Sequence, residues 1–119
     1  MIKTLACIVA CAFPIASFAE APKLSNGMFV DAQGMTLYTF DKDTVPGQSA
    51  CTGGCAAIWP AATADSTDKA DGDWSFVTTA DGKKQWAYEG HPLYRYSKDT
   101  APGQTGGNGF KNMWHVAKP

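Results

Sequence analysis

The chain has 119 residues, enough for one domain. Ten Lys and Arg against eleven Asp and Glu leave a formal charge of −1, which excludes the basic face that nucleic acids or anionic membrane surfaces select. Apolar residues make up 45% and charged residues 18%, so the chain can build a core, yet no apolar run reaches the roughly 18 residues of a membrane-spanning helix.

Met1–Ala19 reads as an export signal (residues 1–19). Lys3 supplies the positive start, Leu5–Phe18 is apolar and interrupted by Pro14, and Ser17 and Ala19 are the small residues a signal peptidase reads. Cleavage is therefore expected before Glu20. A buried N-terminal helix is one alternative. Lipid attachment at Cys11, through the loose lipobox Ile8-Val9-Ala10-Cys11, is another, but the apolar core ahead of Cys11 is very short. The expectation is a bacterial protein of the periplasm or medium, with a lipid anchor as the weaker alternative. In the chain 20–119 only Cys51 and Cys55 remain of the four cysteines.

In chain order, Met28–Val30, the turn Asp31-Ala32-Gln33-Gly34 and Met35–Phe40 predict a β-hairpin. Alternation places Tyr38 and Phe40 on one face and Leu37 and Thr39 on the other. Val45-Pro46-Gly47-Gln48 is a turn with Pro and Gly at its centre. One helical turn fits Cys55–Trp59, and Pro60–Asp73 reads as the loop connecting two halves. Trp74–Thr79 and Lys83–Tyr88 form a hairpin around Asp81-Gly82. Glu89-Gly90-His91-Pro92 turns into Leu93–Tyr96, Ala101-Pro102-Gly103-Gln104 is a turn, and Met113–Val116 is the last strand. Gly106-Gly107-Asn108-Gly109 reads as a flexible turn.

The second half repeats the first. Leu37–Gln48 (LYTFDKDTVPGQ) and Leu93–Gln104 (LYRYSKDTAPGQ) are identical at eight of twelve positions, at an offset of 56, and Trp59 matches Trp114 at an offset of 55. The predicted fold is all-β, a small single domain of antiparallel strands built from two pseudo-symmetric repeats, about 27–60 and about 83–117, packed around one core.

The pattern Tyr-x-aromatic-x-x-Asp occurs twice, as Tyr38, Phe40, Asp43 and as Tyr94, Tyr96, Asp99. With Cys51-Thr52-Gly53-Gly54-Cys55 and Ile58-Trp59-Pro60 between them, the chain resembles the bacterial secreted-repeat family of predicted lipoproteins and secreted proteins carrying a Tyr-x-[Phe/Trp/Tyr]-x-x-Asp motif. The resemblance covers almost all of the chain after the signal. It implies export and no particular function.

Three groups of residues have candidate chemistry. Cys51 and Cys55, in an oxidising compartment, are expected to form a disulfide that contributes about 2 kcal/mol for so short a loop. The alternatives are thiol–disulfide exchange, or a copper site completed by His91 or His115 with Met28, Met35 or Met113, because thiolates select Cu(I). Asp41, Asp43 and Asp99 are expected to cap their loops; an EF-hand fails at Val45 and Pro46, which leaves a weak calcium site as the alternative. Tyr38, Phe40, Tyr94 and Tyr96 are expected in the core rather than as a ligand platform. Neither G-x-S-x-G nor H-E-x-x-H is present. The expected function is a non-enzymatic binding or envelope-associated module with no cofactor, whose partner is an envelope protein or a small ligand. The alternative is a periplasmic copper-binding or thiol-redox accessory protein using Cys51, Cys55 and a His. A hydrolase ranks third.

Overall fold

The computed structural model of the chain describes residues 21–119. The export signal, its cleavage before Glu20 and the Cys11 alternative lie outside the described residues. Among the described residues seven short strands form: β1 (Lys23–Ser25), β2 (Met28–Val30), β3 (Tyr38–Phe40), β4 (Trp74–Thr78), β5 (Lys84–Tyr88), β6 (His91–Pro92) and β7 (Trp114–Val116). The one α-helix among the described residues, α1, is Gly54–Ile58, and a 3₁₀ turn covers Phe110–Asn112. All paired strands are antiparallel, so the domain is all-β.

The hairpin β1–β2 was not anticipated from the sequence. Asn26 and Gly27, at φ 53° and 79°, form its turn, and both central residues of a type I′ turn need positive φ. Asn-Gly is the strongest local signal for such a turn.

The two repeats interlock by exchanging closing segments. In repeat one, Leu37 N–H donates to Phe29 O (3.0 Å), Ala117 N–H to Leu37 O (2.8 Å) and Phe29 N–H to Ala117 O (2.9 Å). In repeat two, Leu93 N–H donates to Trp86 O, Ala62 N–H to Leu93 O and Trp86 N–H to Ala62 O, each at 2.9 Å. Each repeat's opening hairpin is thus completed by the closing strand of the other repeat. β3 pairs with β7, and Ala61 bridges Tyr94 in the equivalent place. At the centre the halves meet directly. Tyr38 N–H donates to Tyr94 O (2.8 Å) and Tyr94 N–H to Tyr38 O (3.0 Å), a pseudo-two-fold pair.

These exchanges correct two local expectations. Pro60–Asp73 is not loop throughout, because Ala61 and Thr63 bridge Tyr94 and Gln85. An isolated reading of this Pro-, Ala- and Thr-rich segment gives no strand; the pairing partner lies in the second repeat. Met35–Phe40 is not one strand paired with β2. Thr36 bridges Val30 and Leu37 N–H still donates to Phe29 O, and from Tyr38 onward the strand pairs with β7.

The buried residues form two clusters rather than one core: Phe29, Leu37, Ala62, Leu93 and Ala117 make one, and the other is an aromatic stack that obeys the same pseudo-symmetry. Trp59 and Trp114 lie face to face, centroids 3.8 Å apart and planes 1° apart. Tyr96 caps Trp59 at 4.3 Å and Phe40 caps Trp114 at 4.1 Å, so each tryptophan is covered by an aromatic of the other repeat. Tyr38 meets Trp59 edge-on and Tyr94 meets Trp114 edge-on, at 5.3 and 5.1 Å. The edge-on contacts suit the ring quadrupole, and the stacked rings bury their faces against one another.

Gly107 is buried beneath this stack, not free in a flexible turn. A Cβ there would stand 2.5 Å from Trp59 Cη2 and 3.1 Å from Tyr96 Cδ2. Gly107→Ala should therefore cost about 1–3 kcal/mol or more in urea unfolding. Gly54→Ala, where a Cβ meets nothing within 4 Å, should be neutral or slightly stabilising. Equal stability of the two variants would contradict this packing.

Candidate functional site

Within one repeat the motif tyrosine and aspartate are five residues apart, and the tight turn after the strand carries the carboxylate across to the partner repeat. Tyr38 O–H donates to Asp99 Oδ2 at 2.5 Å, and Tyr94 O–H donates to Asp43 Oδ2 at 2.6 Å. The second carboxylate oxygens fix the loops behind them. Asp43 Oδ1 accepts Ala50 N–H (2.6 Å), and Asp99 Oδ1 accepts Gly106 N–H (3.0 Å), at the same offset of 56. The capping role expected for these aspartates is thus joined by a second one, acceptance of a phenol from the other repeat. Tyr38 and Tyr94 are 0% and 1% exposed.

The phenol environments differ in one respect. Gly107 N–H donates to Tyr38 Oη at 3.3 Å, whereas Ser49 Oγ lies 2.6 Å from Tyr94 Oη. The single Tyr94 proton goes to Asp43, so Ser49 donates to Tyr94. Burial first, and then the facing aspartate, raises both phenols well above the ordinary value of 10.0. Burial also raises the Asp43 carboxyl, against the opposing hydrogen bonds from Tyr94 and Ala50.

The four residues weighed as metal ligands are not assembled as a set. Cys51 and Cys55 are bonded to one another, with Cα atoms 5.2 Å apart. His91 is exposed at the start of β6, and His115, half exposed on β7, lies 2.9 Å from Asp41 Oδ2. Among the described residues no three His, Cys, Asp or Glu side chains cluster to hold a metal ion. The disulfide closes the loop after Asp43 in repeat one. In repeat two the equivalent loop is closed by Asn108, whose Oδ1 accepts Val116 N–H at 3.1 Å.

Two depressions open where the halves diverge. A cleft of about 520 Å³ lies between the disulfide loop and the tip of the β4–β5 hairpin, with Gln48, Ser49, Thr52, Thr78 and Tyr94 among its walls. A wider, charged groove of about 840 Å³ is lined by Asp41, Asp43, Glu89, His91 and Lys118. A third tie joins the repeats at the surface: Asp31 forms an ion pair with Arg95, whose guanidinium also donates to Gln33 Oε1 at 2.7 Å.

Comparison with known proteins agrees with this architecture. The family described as a secreted repeat of unknown function matches the chain twice, over residues 24–63 and 75–118, and the chain belongs to it. The first match runs to Thr63 and so takes in the closing segment that pairs with repeat two. No curated protein and no solved structure matches the chain. No helix among the described residues is long and apolar enough to cross a membrane.

The phenols set the alkaline limit of the fold. An unfolded tyrosine loses its proton near pH 10, whereas Tyr38 and Tyr94 retain theirs when folded. Their contribution is complete below about pH 10. Above it, stability falls by about 1.4 kcal/mol per pH unit for each of the two. Tyrosinate absorbance should therefore show Tyr38 and Tyr94 ionising only in a cooperative step that coincides with loss of circular dichroism. Tyr38 and Tyr94 ionising near pH 10 with the fold intact would be incompatible with this site.

Proposed function

We propose that the protein is an exported, non-enzymatic binding module of the bacterial envelope or medium, and that the 520 Å³ cleft beside the disulfide takes a small neutral ligand. One observation carries the reading: the same residue is committed in one repeat and released in the other. Gln104 Oε1 accepts Thr100 N–H (2.6 Å) and Ala101 N–H (3.3 Å), which ties its own loop shut. Its counterpart Gln48 lines the cleft instead, and Thr44 N–H donates to Lys42 O.

The lining supports a neutral ligand. Apart from Gln48 it offers hydroxyls of Thr52, Thr63 and Thr78 beside small apolar residues, while those of Ser49 and Thr79 are held by Tyr94 and Asp81. Its only charged members, Asp81 and Lys83, face each other at 3.9 Å. A charged ligand would lose hydration without gaining a partner. A few placed polar groups in an apolar concavity are the usual make-up of a small-molecule site.

The Ser49–Tyr94–Asp43 chain is not a nucleophile with its base. Tyr94 would have to be a phenolate to take the serine proton, and burial raises its pKa far from that state. The motif's titratable groups are spent on holding the repeats together. The reading requires no cofactor.

Titration of the ¹⁵N-labelled protein with N-methylacetamide and a set of neutral amide and alcohol fragments tests this. Saturable shifts are expected at Gln48, Ser49, Thr52 and Thr78, and Gln48→Ala should weaken binding by about 3- to 10-fold, the worth of one neutral hydrogen bond. Shifts confined to the groove of Asp41, Glu89 and His91, or no saturable shifts, would overturn the reading.

A further inference from the structure

We infer that this chain carries, in its exchanged closing strands, a built interface for a second copy of itself, through which two chains form a reciprocal repeat-swapped dimer. The inference stands on the fold and not on the binding reading. Every contact that joins the halves is a contact between repeat one and repeat two: the Tyr38–Tyr94 backbone pair, both Tyr–Asp bonds, the Trp59–Trp114 stack and the β3–β7 ladder. None depends on the two repeats belonging to the same chain. Repeat one of one copy and repeat two of another can make the same set, and the second pair of repeats closes a two-fold dimer.

The covalent link between the halves is the segment 65–73, anchored at its end, where Glu89 N–H donates to Asp73 O (2.7 Å), and otherwise tied to the sheet by one lysine. Lys84 Nζ donates to Ser66 O (3.4 Å) and Asp68 O (3.1 Å), and most of the segment is exposed. It leaves from Ala64, whose N–H donates to Lys84 O, and enters β4 at Trp74, which is paired with Tyr88. It therefore crosses from one side of β5 to the other. That is about 14 Å along the strand and about 10 Å across, or about 17 Å direct. Linker length decides which pairing occurs.

Pairing is heterotypic. Two first repeats would place Cys51 where Gly107 lies, and a Cβ there stands 2.5 Å from Trp59 Cη2. Swapping also divides the cleft between copies, with Gln48 and Ser49 from one chain and Thr78 and Tyr94 from the other.

Deleting residues 66–71 from the full chain tests the inference. The three linker residues that remain span at most about 15 Å over four Cα steps, too short to cross β5. Light scattering on a sizing column should give twice the monomer mass, with native circular dichroism and with Tyr38 and Tyr94 still resistant to alkali. A folded monomer would overturn the inference, and so would a chain that fails to fold, since the swapped pair offers every native contact. As a second measurement, the intact chain is refolded from urea at about 1 mM, near the effective concentration of a short linker. A dimer that persists on dilution is expected, and its absence would also overturn the inference.

Discussion

The fold depends on two phenols that find their acceptors only in the opposite repeat. Tyr38 and Tyr94 are buried, and a buried hydroxyl left without a partner costs about 1–3 kcal/mol. Each donates to an aspartate of the other half, Asp99 and Asp43. The same carboxylates then accept Gly106 and Ala50 N–H groups, so one interaction fixes both the docking of the repeats and the path of each loop. Neither repeat alone satisfies its own motif. The exchange of closing segments acts on the backbone in the same way, since Leu37 O and Leu93 O accept the Ala117 and Ala62 N–H groups of the opposite repeat.

The aromatic stack converts that docking into a core. Trp59 and Trp114 bury against each other across the pseudo-axis and are capped by Tyr96 and Phe40 from the opposite repeats. A small domain has little apolar volume to use, and four rings in register concentrate it where both halves contribute. Gly107 admits the Trp59 ring, and Cys51, its counterpart at an offset of 56, instead begins the disulfide loop. The duplicated residues thus build the frame. The features by which the repeats differ, the disulfide loop begun by Cys51 and the longer β4–β5 hairpin, shape the cleft on one side only, and Gln48, the match of Gln104, lines it.

Much of this was legible in the sequence. The offset of 56 announced two related halves, and alternation placed the tyrosines on one face of their strands. The hairpin of Trp74–Thr78 with Lys84–Tyr88 followed from Asp81-Gly82, and the helical turn at Gly54–Ile58 was within one residue of its expected start. What was hidden is what crosses between repeats. Local pattern reports that Asp43 ends a turn; it carries no record that the phenol it accepts lies 51 residues away. The pairing of Ala61 and Thr63 was missed for the same reason, because Pro60, Ala61 and Ala62 show no β pattern until Leu93 and Gln85 are beside them. Gly106-Gly107 read as flexible because glycine is indifferent to φ, whereas at Gly107 its use is the absence of a side chain under Trp59.

The central claim is that the motif acts between repeats and not within them. Double-mutant cycles on Tyr38→Phe, Tyr94→Phe, Asp43→Asn and Asp99→Asn, read by urea unfolding, test it most directly. The account predicts coupling of about 1 kcal/mol or more for Tyr38 with Asp99 and for Tyr94 with Asp43, and near-additivity for Tyr38 with Asp43 and for Tyr94 with Asp99. Coupling that follows the repeats, strong within each and absent across them, would contradict it.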